Sequence, residues 1–334
     1  MNRRSVAVGM GLRDRPNGSA GSTRPAGRTR AGAVLGAAVA ALVLAGGCVV
    51  GPGGQDRTGT PARPPSGVLA VKIDNVLPAR PQTGLAQADV VYAERVEAGL
   101  SRLMALYATR LPGAVGPVRS ARETDLRLLR QFDEPVLAYS GSQSRLRPLI
   151  EAAPLRAESP GNRPEAWYRG DDRPAPHNLY LRPRRLVDAP AGREALTAAG
   201  FREGPAPAGG RPEEERTVRF PSARFTFDWS ARRGGWLVET DGRPTTDGGG
   251  QLAPPTVVVQ YVTVRESAFR DRGGNNTPFS ETVGSGSADL LRDGKVWPVR
   301  WQRATEADGT RFTTGDGTPV NMADGQVWVV LAER

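Results

Sequence analysis

An uncharged apolar segment near the amino terminus, residues 31–47, most constrains how this chain can fold. Its sequence is AGAVLGAAVAALVLAGG, and an Arg-rich stretch, residues 1–30, precedes it. The next residue, Cys48, is the only cysteine among the 334 residues. A charged stretch, a short apolar core and small residues before a cleavage point are the parts of an export signal. We therefore expect the globular part of the chain to begin after this segment.

The cysteine at the end of the apolar segment indicates the kind of export signal. The run Leu44-Ala45-Gly46-Gly47-Cys48 resembles the processing site of a bacterial lipoprotein, in which a peptidase cleaves before a cysteine that then carries lipid. We predict a lipoprotein signal peptide at 1–47 and a lipidated Cys48 that attaches the protein to the membrane. The predicted location is the extracytoplasmic face of the bacterial cell membrane.

Two other interpretations of the amino terminus stay open. Residues 31–50 are long enough for an uncleaved membrane span, which would leave the rest of the chain outside as well. Arg3-Arg4 could belong to a twin-arginine signal, although a start at Met10 would remove that pair. The Gly- and Pro-rich residues 48–66 have no apolar periodicity after Val50, and we predict a flexible tether there.

The composition excludes several classes of site. One cysteine and one histidine allow neither an intrachain disulfide nor a Cys/His zinc cluster, although a metal held mainly by carboxylates stays open. The formal charge is +10, but seven of the 45 basic residues and only one of the 35 acidic residues lie in 1–47. The remainder carries only +4 and has no basic run with interleaved aromatic residues. We predict no cofactor, no metal site and no nucleic-acid partner.

The hydrophobic pattern predicts an α+β (or α/β) protein of two domains. A mixed α/β domain is predicted over 67–203 and a β-rich domain over 217–334. The Pro-, Gly- and charge-rich residues 204–216 are the predicted linker.

Elements of the first domain follow from local patterns. Strands are predicted at 68–71 and 136–139, and a hairpin joins the β-rich stretches 90–97 and 101–109. A helix is predicted to begin with Ser120 as the N-cap and Glu123 at the third helical position, which is the capping-box pattern. A second short helix is predicted near Ser144, and a longer one over 184–199.

The second domain combines β-branched and aromatic residues. Residues 225–229 and 235–239 flank a Gly turn and predict a hairpin, and a β-branched strand follows at 256–264. Five of the six tryptophans lie in this half. We expect them to fill the core of a small β-sandwich or partial barrel rather than to form a sugar-stacking surface.

Several motifs resemble the YerB-like family of bacterial lipoproteins. The resemblance covers about residues 67–334 in order and implies an exported, membrane-anchored protein with an N-terminal and a C-terminal domain of unknown function. It implies no established reaction. The motifs that carry it are Val71-Lys72-Ile73-Asp74-Asn75, Ala79-Arg80-Pro81-Gln82-Thr83-Gly84-Leu85, Ala88-Asp89-Val90-Val91-Tyr92, Gly116-Pro117-Val118-Arg119-Ser120-Ala121-Arg122, Pro176-His177-Asn178-Leu179-Tyr180 and, more loosely, Thr256-Val257-Val258-Val259, Gly284-Ser285-Gly286, Asp293-Gly294-Lys295 and Gln326-Val327-Trp328.

Arginines at the predicted helix start suggest a site for an anion. Arg119 and Arg122 flank Ser120, although a helix N-terminus favours negative rather than positive charge. An anion between the two arginines would resolve this conflict, and Arg80 could join them from another loop. The alternative is that both arginines pair with internal carboxylates. Candidate carboxylate partners are Asp89, Glu123 and Asp125.

A few other residues could carry chemistry. Ser140-Gly141-Ser142 follows a predicted strand, where a Gly lets the backbone approach a ligand and hydroxyls can donate hydrogen bonds. His177, the only imidazole, could act as a general base or tie down a Pro-rich loop. Asp74 and Glu97 could act with it as carboxylates. No Walker A, GxSxG or HExxH motif is present.

The resulting hypothesis is an envelope protein for binding or assembly, more consistent with a binding protein than with an enzyme. An anion-recognising cleft in the first domain would bind a phosphate- or carboxylate-bearing envelope ligand or a protein partner. Two alternatives stay open: a hydrolase acting on cell-wall glycan or phosphoester through Asp74 or Glu97 with His177, and a protein-interaction scaffold. The predicted ligand-binding residues are Arg80, Arg119, Ser120, Arg122, Ser142 and His177.

Overall fold

The structure is a computed structural model that describes residues 67–271 and 273–334. The predicted signal peptide, the lipidated Cys48 and the tether over 48–66 therefore lie outside the described residues. Within the described part, none of the helices combines the length and apolarity that crossing a bilayer requires.

The described residues form nineteen strands and three short α-helices. The helices are α1 (Glu123–Leu129), α2 (Arg147–Ala152) and α3 (Arg193–Ala198). The strands are β1 (Leu69–Asp74), β2 (Val90–Arg95), β3 (Ser101–Tyr107), β4 (Val136–Ala138), β5 (Arg156–Glu158), β6 (Trp167–Arg169), β7 (Leu179–Leu181), β8 (Arg211–Pro212), β9 (Glu215–Phe220), β10 (Ala223–Ser230), β11 (Gly235–Thr240), β12 (Arg243–Pro244), β13 (Thr256–Val262), β14 (Val264–Arg270), β15 (Asn276–Ser280), β16 (Gly284–Arg292), β17 (Lys295–Arg303), β18 (Arg311–Thr313) and β19 (Val327–Glu333).

One 11-stranded sheet contains strands from both halves of the chain. Its order is β18-β17-β16-β13-β19-β2-β3-β1-β4-β5, with β8 pairing to β17. The two halves join where β19 runs parallel to β2. A second sheet, β12-β11-β10-β9, and the hairpins β14-β15 and β6-β7 complete the strands that the structure describes. The predicted boundary at 204–216 stays a prediction.

The alternation of side chains in β1 separates two apolar layers. Leu69, Val71 and Ile73 lie in one core cluster with Phe225 and Trp236 of the small sheet. On the other face of the large sheet, a second cluster contains Ala70 together with side chains of all three helices. Because successive side chains of a strand point to opposite faces, Lys72 and Asp74 lie on the helix side.

The chain is mostly β, so the predicted α+β class holds only in the coarse sense that short helices accompany the sheets. The predicted hairpins correspond to β2-β3 and β10-β11. The helix expected over 184–199 is wrong in extent, because only Arg193–Ala198 is α-helical. Pro190 lacks the backbone N–H that a continuous helix needs, and Gly192, at φ 98°, stands immediately before α3.

The predicted start of α1 is also wrong. The N-cap is Arg122 rather than Ser120, and the Asp125 side chain accepts the Arg122 N–H at 2.7 Å. The preceding residues cannot be helical because their backbone groups bridge two strands. Arg119 N–H donates to Lys72 O at 2.8 Å, and Ser140 N–H donates to Arg119 O at 3.0 Å. The helix begins only after this bridge ends.

The tryptophans of the second half are mostly core residues, as expected. Trp236, Trp297, Trp301 and Trp328 are buried, and Trp229 is partly buried against the same core. These strands do not close a sandwich or barrel of their own. Instead β13 and β16–β19 extend the large sheet, and Phe225 of the small sheet meets Trp328 of the large one edge-on, with ring centroids 6.1 Å apart.

Candidate functional site

A cavity of about 630 Å³ opens on the helix side of the large sheet. It lies where two adjacent parallel strands, β1 and β4, end. Asp74 is the last residue of β1, and Ser140-Gly141-Ser142 follows β4. Because the carboxyl ends of parallel strands meet at one edge, the residues that follow them can line a common site. Five of the six predicted ligand-binding residues line it: Arg119, Ser120, Arg122, Ser142 and His177.

Asp74 links two of the predicted residues. Its Oδ2 atom lies 2.8 Å from Nδ1 of His177 and 3.0 Å from Nε of Arg119. The Asp74 side chain is 1% exposed, whereas those of His177 and Arg119 are 19% and 25% exposed. The other carboxylate oxygen, Oδ1, is buried and has no hydrogen-bond partner among the described residues. A buried carboxylate therefore orients an imidazole and a guanidinium that both reach the cavity.

Arg122 is fully engaged by internal partners. Its Nε and Nη2 atoms bind the two oxygens of Glu97 at 2.6 and 2.8 Å, and Nη1 donates to the carbonyls of Ser120 and Ala121. Thr277 Oγ1 donates to the same carboxylate at 2.7 Å. Burial alone would raise the pKa of Glu97, but the Arg122 hydrogen bonds and charge outweigh it and lower that pKa to about 2.

A tight turn places Glu97 at the cavity. The turn Glu97–Gly99 connects β2 to β3, and Gly99 has φ 70°. A Cβ atom at Gly99 would lie 2.6 Å from Cβ of Pro221 in the second half. Glycine is therefore required at this turn both by its backbone conformation and by the close approach of a neighbouring segment.

Arg102 differs from Arg119 and Arg122, the other half-buried arginines of the cavity wall. No carboxylate of the described residues lies within 4 Å of its guanidinium, and its one hydrogen bond, to Ser120 O, is 3.4 Å long. Its neighbours across the strands are Asp74 and Glu94, but each of these already binds other cations. Burial, and then the charge of nearby Arg122, lower the pKa of Arg102 to about 10. The charges of Glu97 and Asp74 oppose this change, and Arg102 remains a cation at neutral pH with no carboxylate of the described residues within 4 Å.

Hydroxyl groups and a glycine form another part of the wall. Ser120, Ser140 and Ser142 line the cavity, and no hydrogen bond of their hydroxyls to a described residue is formed. Gly141 has φ 155°, and a Cβ there would meet no atom within 4 Å. This segment therefore offers hydrogen-bond donors and open space beside the arginines.

A second charged cluster lies on the same face of the sheet but is sealed. Lys72 is fully buried and forms ion pairs with Glu94 and, at 2.7 Å, with Asp125 of α1. None of the three lines the cavity. Burial lowers the pKa of Lys72 to about 8, although Asp125 opposes that change. All three charges have partners inside the protein.

Arg80 does not lie with the other predicted residues. Its guanidinium donates to the carbonyls of Asn75 and Thr240 and pairs with Asp241 at 2.7 Å. It therefore connects the loop after β1 to the small sheet, and the cavity lining does not include it. Both Arg119 and Arg122 do pair with internal carboxylates, but these are Asp74 and Glu97 rather than the predicted Asp89, Glu123 or Asp125.

Arg102 is the residue that sequence reasoning missed. Its signal was present, because it is the only charged residue in the otherwise apolar and polar strand Ser101–Tyr107. The lining also includes Glu123, Arg270 and Asp271, so the positive excess is local to Arg102 rather than a property of the whole cavity. In residues 67–271 and 273–334, no group of three His, Cys, Asp or Glu side chains is arranged to hold a metal ion.

Two family models match the chain. Residues 57–196 match the model described as the N-terminal domain of a protein of unknown function, DUF3048, and residues 216–329 match the corresponding C-terminal domain. Together these two segments cover most of the chain.

Both a curated relative and a solved structure come from Bacillus subtilis. The chain is 33% identical over 112 residues to a protein of strain 168 named "Putative lipoprotein YerB", and this alignment covers 34% of each chain. The matched segment thus spans about a third of that relative. The crystal structure of YerB from Bacillus subtilis superposes with a TM-score of 0.65 at 21% identity, covering 80% of this chain and 91% of that one. This likeness shows a shared fold.

Proposed function

The chain belongs to the YerB-like family with DUF3048 domains, and from that premise we propose that it is an exported, lipid-anchored envelope protein that binds an anionic ligand in the cavity. The location rests on the apolar segment before Cys48 and on the lipoprotein name of the relative. The binding activity rests on the chemistry of the cavity wall.

The single observation that carries the binding proposal is the unpaired charge of Arg102. Keeping a half-buried cation without a counter-ion is costly, and buried charges in folded proteins are normally paired. Lys72, on the same face of the sheet, meets that requirement with two carboxylates, whereas Arg102 meets it with none of the described ones. An external anion at the cavity would supply the missing charge.

Arg119 provides the second contact. Its Nε atom forms an ion pair with Asp74 at 3.0 Å, and its two terminal nitrogens form no hydrogen bond with the described residues. Guanidinium groups bind the planar or tetrahedral oxygens of carboxylates and phosphates through paired N–H donors. The hydroxyls of Ser120 and Ser142 can donate to the same ligand. A phosphate or a carboxylate fits this set, and an acidic side chain of a protein partner would present the same carboxylate.

Thermal unfolding of the full chain in neutral detergent tests this proposal. The probes are inorganic phosphate, glycerol 3-phosphate, glutarate and, as an uncharged control, glycerol. Ligand at a hundred times its Kd should stabilise the native state by about 2.7 kcal/mol. We expect at least one of the anions, but not glycerol, to raise the midpoint of wild type.

Arginine variants locate the effect. Arg102→Gln should abolish the anion-dependent shift while leaving the midpoint without ligand unchanged or higher. Arg300→Gln removes the same charge from an exposed position on β17 and should keep the full shift. Equal shifts in wild type and Arg102→Gln would place binding elsewhere, and no shift with any anion would refute the cleft as an anion site.

A further inference from the structure

The Asp74–His177 pair adds a feature that binding alone does not need. The Nδ1 atom of His177 lies 2.8 Å from a carboxylate oxygen, which is the geometry that orients the imidazole of a general base. The other ring nitrogen, Nε2, forms no hydrogen bond with the described residues. Pro176 and His177 both line the cavity. The free nitrogen can therefore accept a proton from a group bound there.

We propose that this cleft hydrolyses a phosphodiester, with His177 as the general base. The inference rests on the proposed anion binding, because Arg102 and Arg119 would hold the phosphoryl oxygens. Asp74 contacts the imidazole rather than the substrate, and it is a positioning residue.

The charge and size of the cavity favour a diester over a monoester. Of the three half-buried arginines that line the cavity, only Arg102 lacks a carboxylate within 4 Å among the described residues, and a diester carries a single negative charge. Arg270, which also lacks one, is exposed. A monoester carries nearly two charges at neutral pH. A volume of about 630 Å³ can also hold groups on both sides of the phosphorus.

The step balances with water as the only co-reactant. Nε2 takes one proton from a water molecule while the water oxygen bonds to phosphorus. The bond from phosphorus to one ester oxygen breaks, and the departing alkoxide takes a proton from bulk water. The imidazolium then returns its proton to solvent. The products are a phosphate monoester and an alcohol, and no group is oxidised or reduced.

Turnover of bis(p-nitrophenyl) phosphate by the full chain in detergent tests the proposal, with p-nitrophenyl phosphate as the monoester comparison. We expect kcat/KM for the diester to exceed that for the monoester at least tenfold. His177→Ala should lower kcat at least a hundredfold with little change in KM. Added imidazole should restore part of that kcat, which a purely structural role of His177 would not allow.

Two further variants distinguish loss of the positioning of His177 by Asp74 from general disturbance of the segment that carries His177. Asp74→Asn should lower kcat at least tenfold while KM stays within threefold. Tyr180→Phe removes a hydrogen bond to Asp172 from the same segment, outside the cavity lining, and should keep wild-type turnover.

The measurements distinguish failure of the hydrolysis proposal from failure of the anion-binding proposal. Absence of turnover together with a diester-dependent rise in the melting midpoint would overturn hydrolysis and leave anion binding in place. Absence of both would overturn both proposals. Turnover that persists in His177→Ala would show that His177 is not the base, and preference for the monoester would overturn the assignment of the substrate class.

Discussion

Two charged clusters on one face of the large sheet differ in how their charges are paired. In the sealed cluster, Lys72 binds two buried carboxylates, and none of the three residues reaches the cavity. In the open cluster, Glu97 pairs with Arg122 through both carboxylate oxygens, and Asp74 pairs with Arg119 through Nε alone. Arg102 lacks a carboxylate partner within 4 Å among the described residues.

The difference shows how a single strand pair can serve both the fold and a ligand. Lys72 and Asp74 are two residues apart on β1, and Arg102 lies opposite Asp74 on β3. Near the middle of β1, helix α1 covers the charges and its Asp125 completes the ion pairs. At the end of the strand, the cavity rather than helix α1 lies beside the charges.

The largest expected effect comes from breaking the sealed cluster. Lys72→Met would leave Glu94 and Asp125 buried without their cation, and removal of one partner of a buried ion pair costs about 3–5 kcal/mol. Urea denaturation followed by tryptophan fluorescence measures this loss. The matched control is Lys295→Met, because Lys295 is the only other lysine and is exposed. A loss below about 1 kcal/mol would mean that the cluster does not depend on its lysine.

Acid should weaken the open cluster through Glu97. Its pKa is lowered from 4.5 to about 2 because the Arg122 interactions outweigh the opposing effect of burial. A lowered native pKa stabilises the fold above pH 4.5, and that contribution is lost as the pH falls towards 2. The contribution is about 3 kcal/mol at 1.36 kcal/mol per pKa unit. Stability curves of wild type and Glu97→Gln should converge between pH 5 and pH 2, whereas parallel curves would contradict this assignment.

Two arginines of the open cluster, Arg122 and Arg102, should respond differently to substitution when no ligand is present. Arg122→Gln removes the charged hydrogen bonds to Glu97 and should cost about 1.5–3 kcal/mol. Arg102→Gln removes a cation without an internal counter-ion and should leave stability unchanged or raise it. Urea denaturation of both variants gives the contrast. Equal losses would show that Arg102 has a structural role comparable to that of Arg122.

The smallest effect is expected at Ser120. Ser120→Ala should change stability by less than about 0.5 kcal/mol, because the helix is capped at Arg122 and Ser120 has no capping bond. Loss of a true N-cap would cost about 1 kcal/mol. A loss of that size, measured in the same denaturation assay, would mean that Ser120 stabilises the start of α1 after all.

Local patterns predicted the strands and hairpins well, since alternation and turn residues act over a few neighbours. The hairpins β2-β3 and β10-β11 and the buried tryptophans are examples. The parallel pairing of β19 with β2 was not predictable, because it joins residues more than two hundred positions apart. The start of α1 was misplaced for a similar reason. The residues before it form backbone hydrogen bonds with segments that are distant in the sequence, and local patterns do not predict such contacts.

Five of the six predicted residues line the cavity, but Arg80 does not, and the sequence did not show how the charged residues pair. Motif residues such as Arg119 and His177 do line one cavity, where both contact Asp74 at the end of β1. Their carboxylate partners Asp74 and Glu97 come from other segments, so the sequence could not show which arginines are satisfied internally. Arg102 could not be singled out from the sequence, because the sequence does not show that it lacks a carboxylate partner.

Diffraction from crystals soaked in tungstate tests the central claim most directly, since tungstate mimics phosphate and its anomalous signal locates the anion. The account predicts an anomalous peak within hydrogen-bonding reach of the guanidinium groups of Arg102 and Arg119, and none there in Arg102→Gln. The contradicting result would come from crystals in which the cavity opens to a solvent channel. If tungstate then appears only at other surface positions, Arg102 does not bind an external anion.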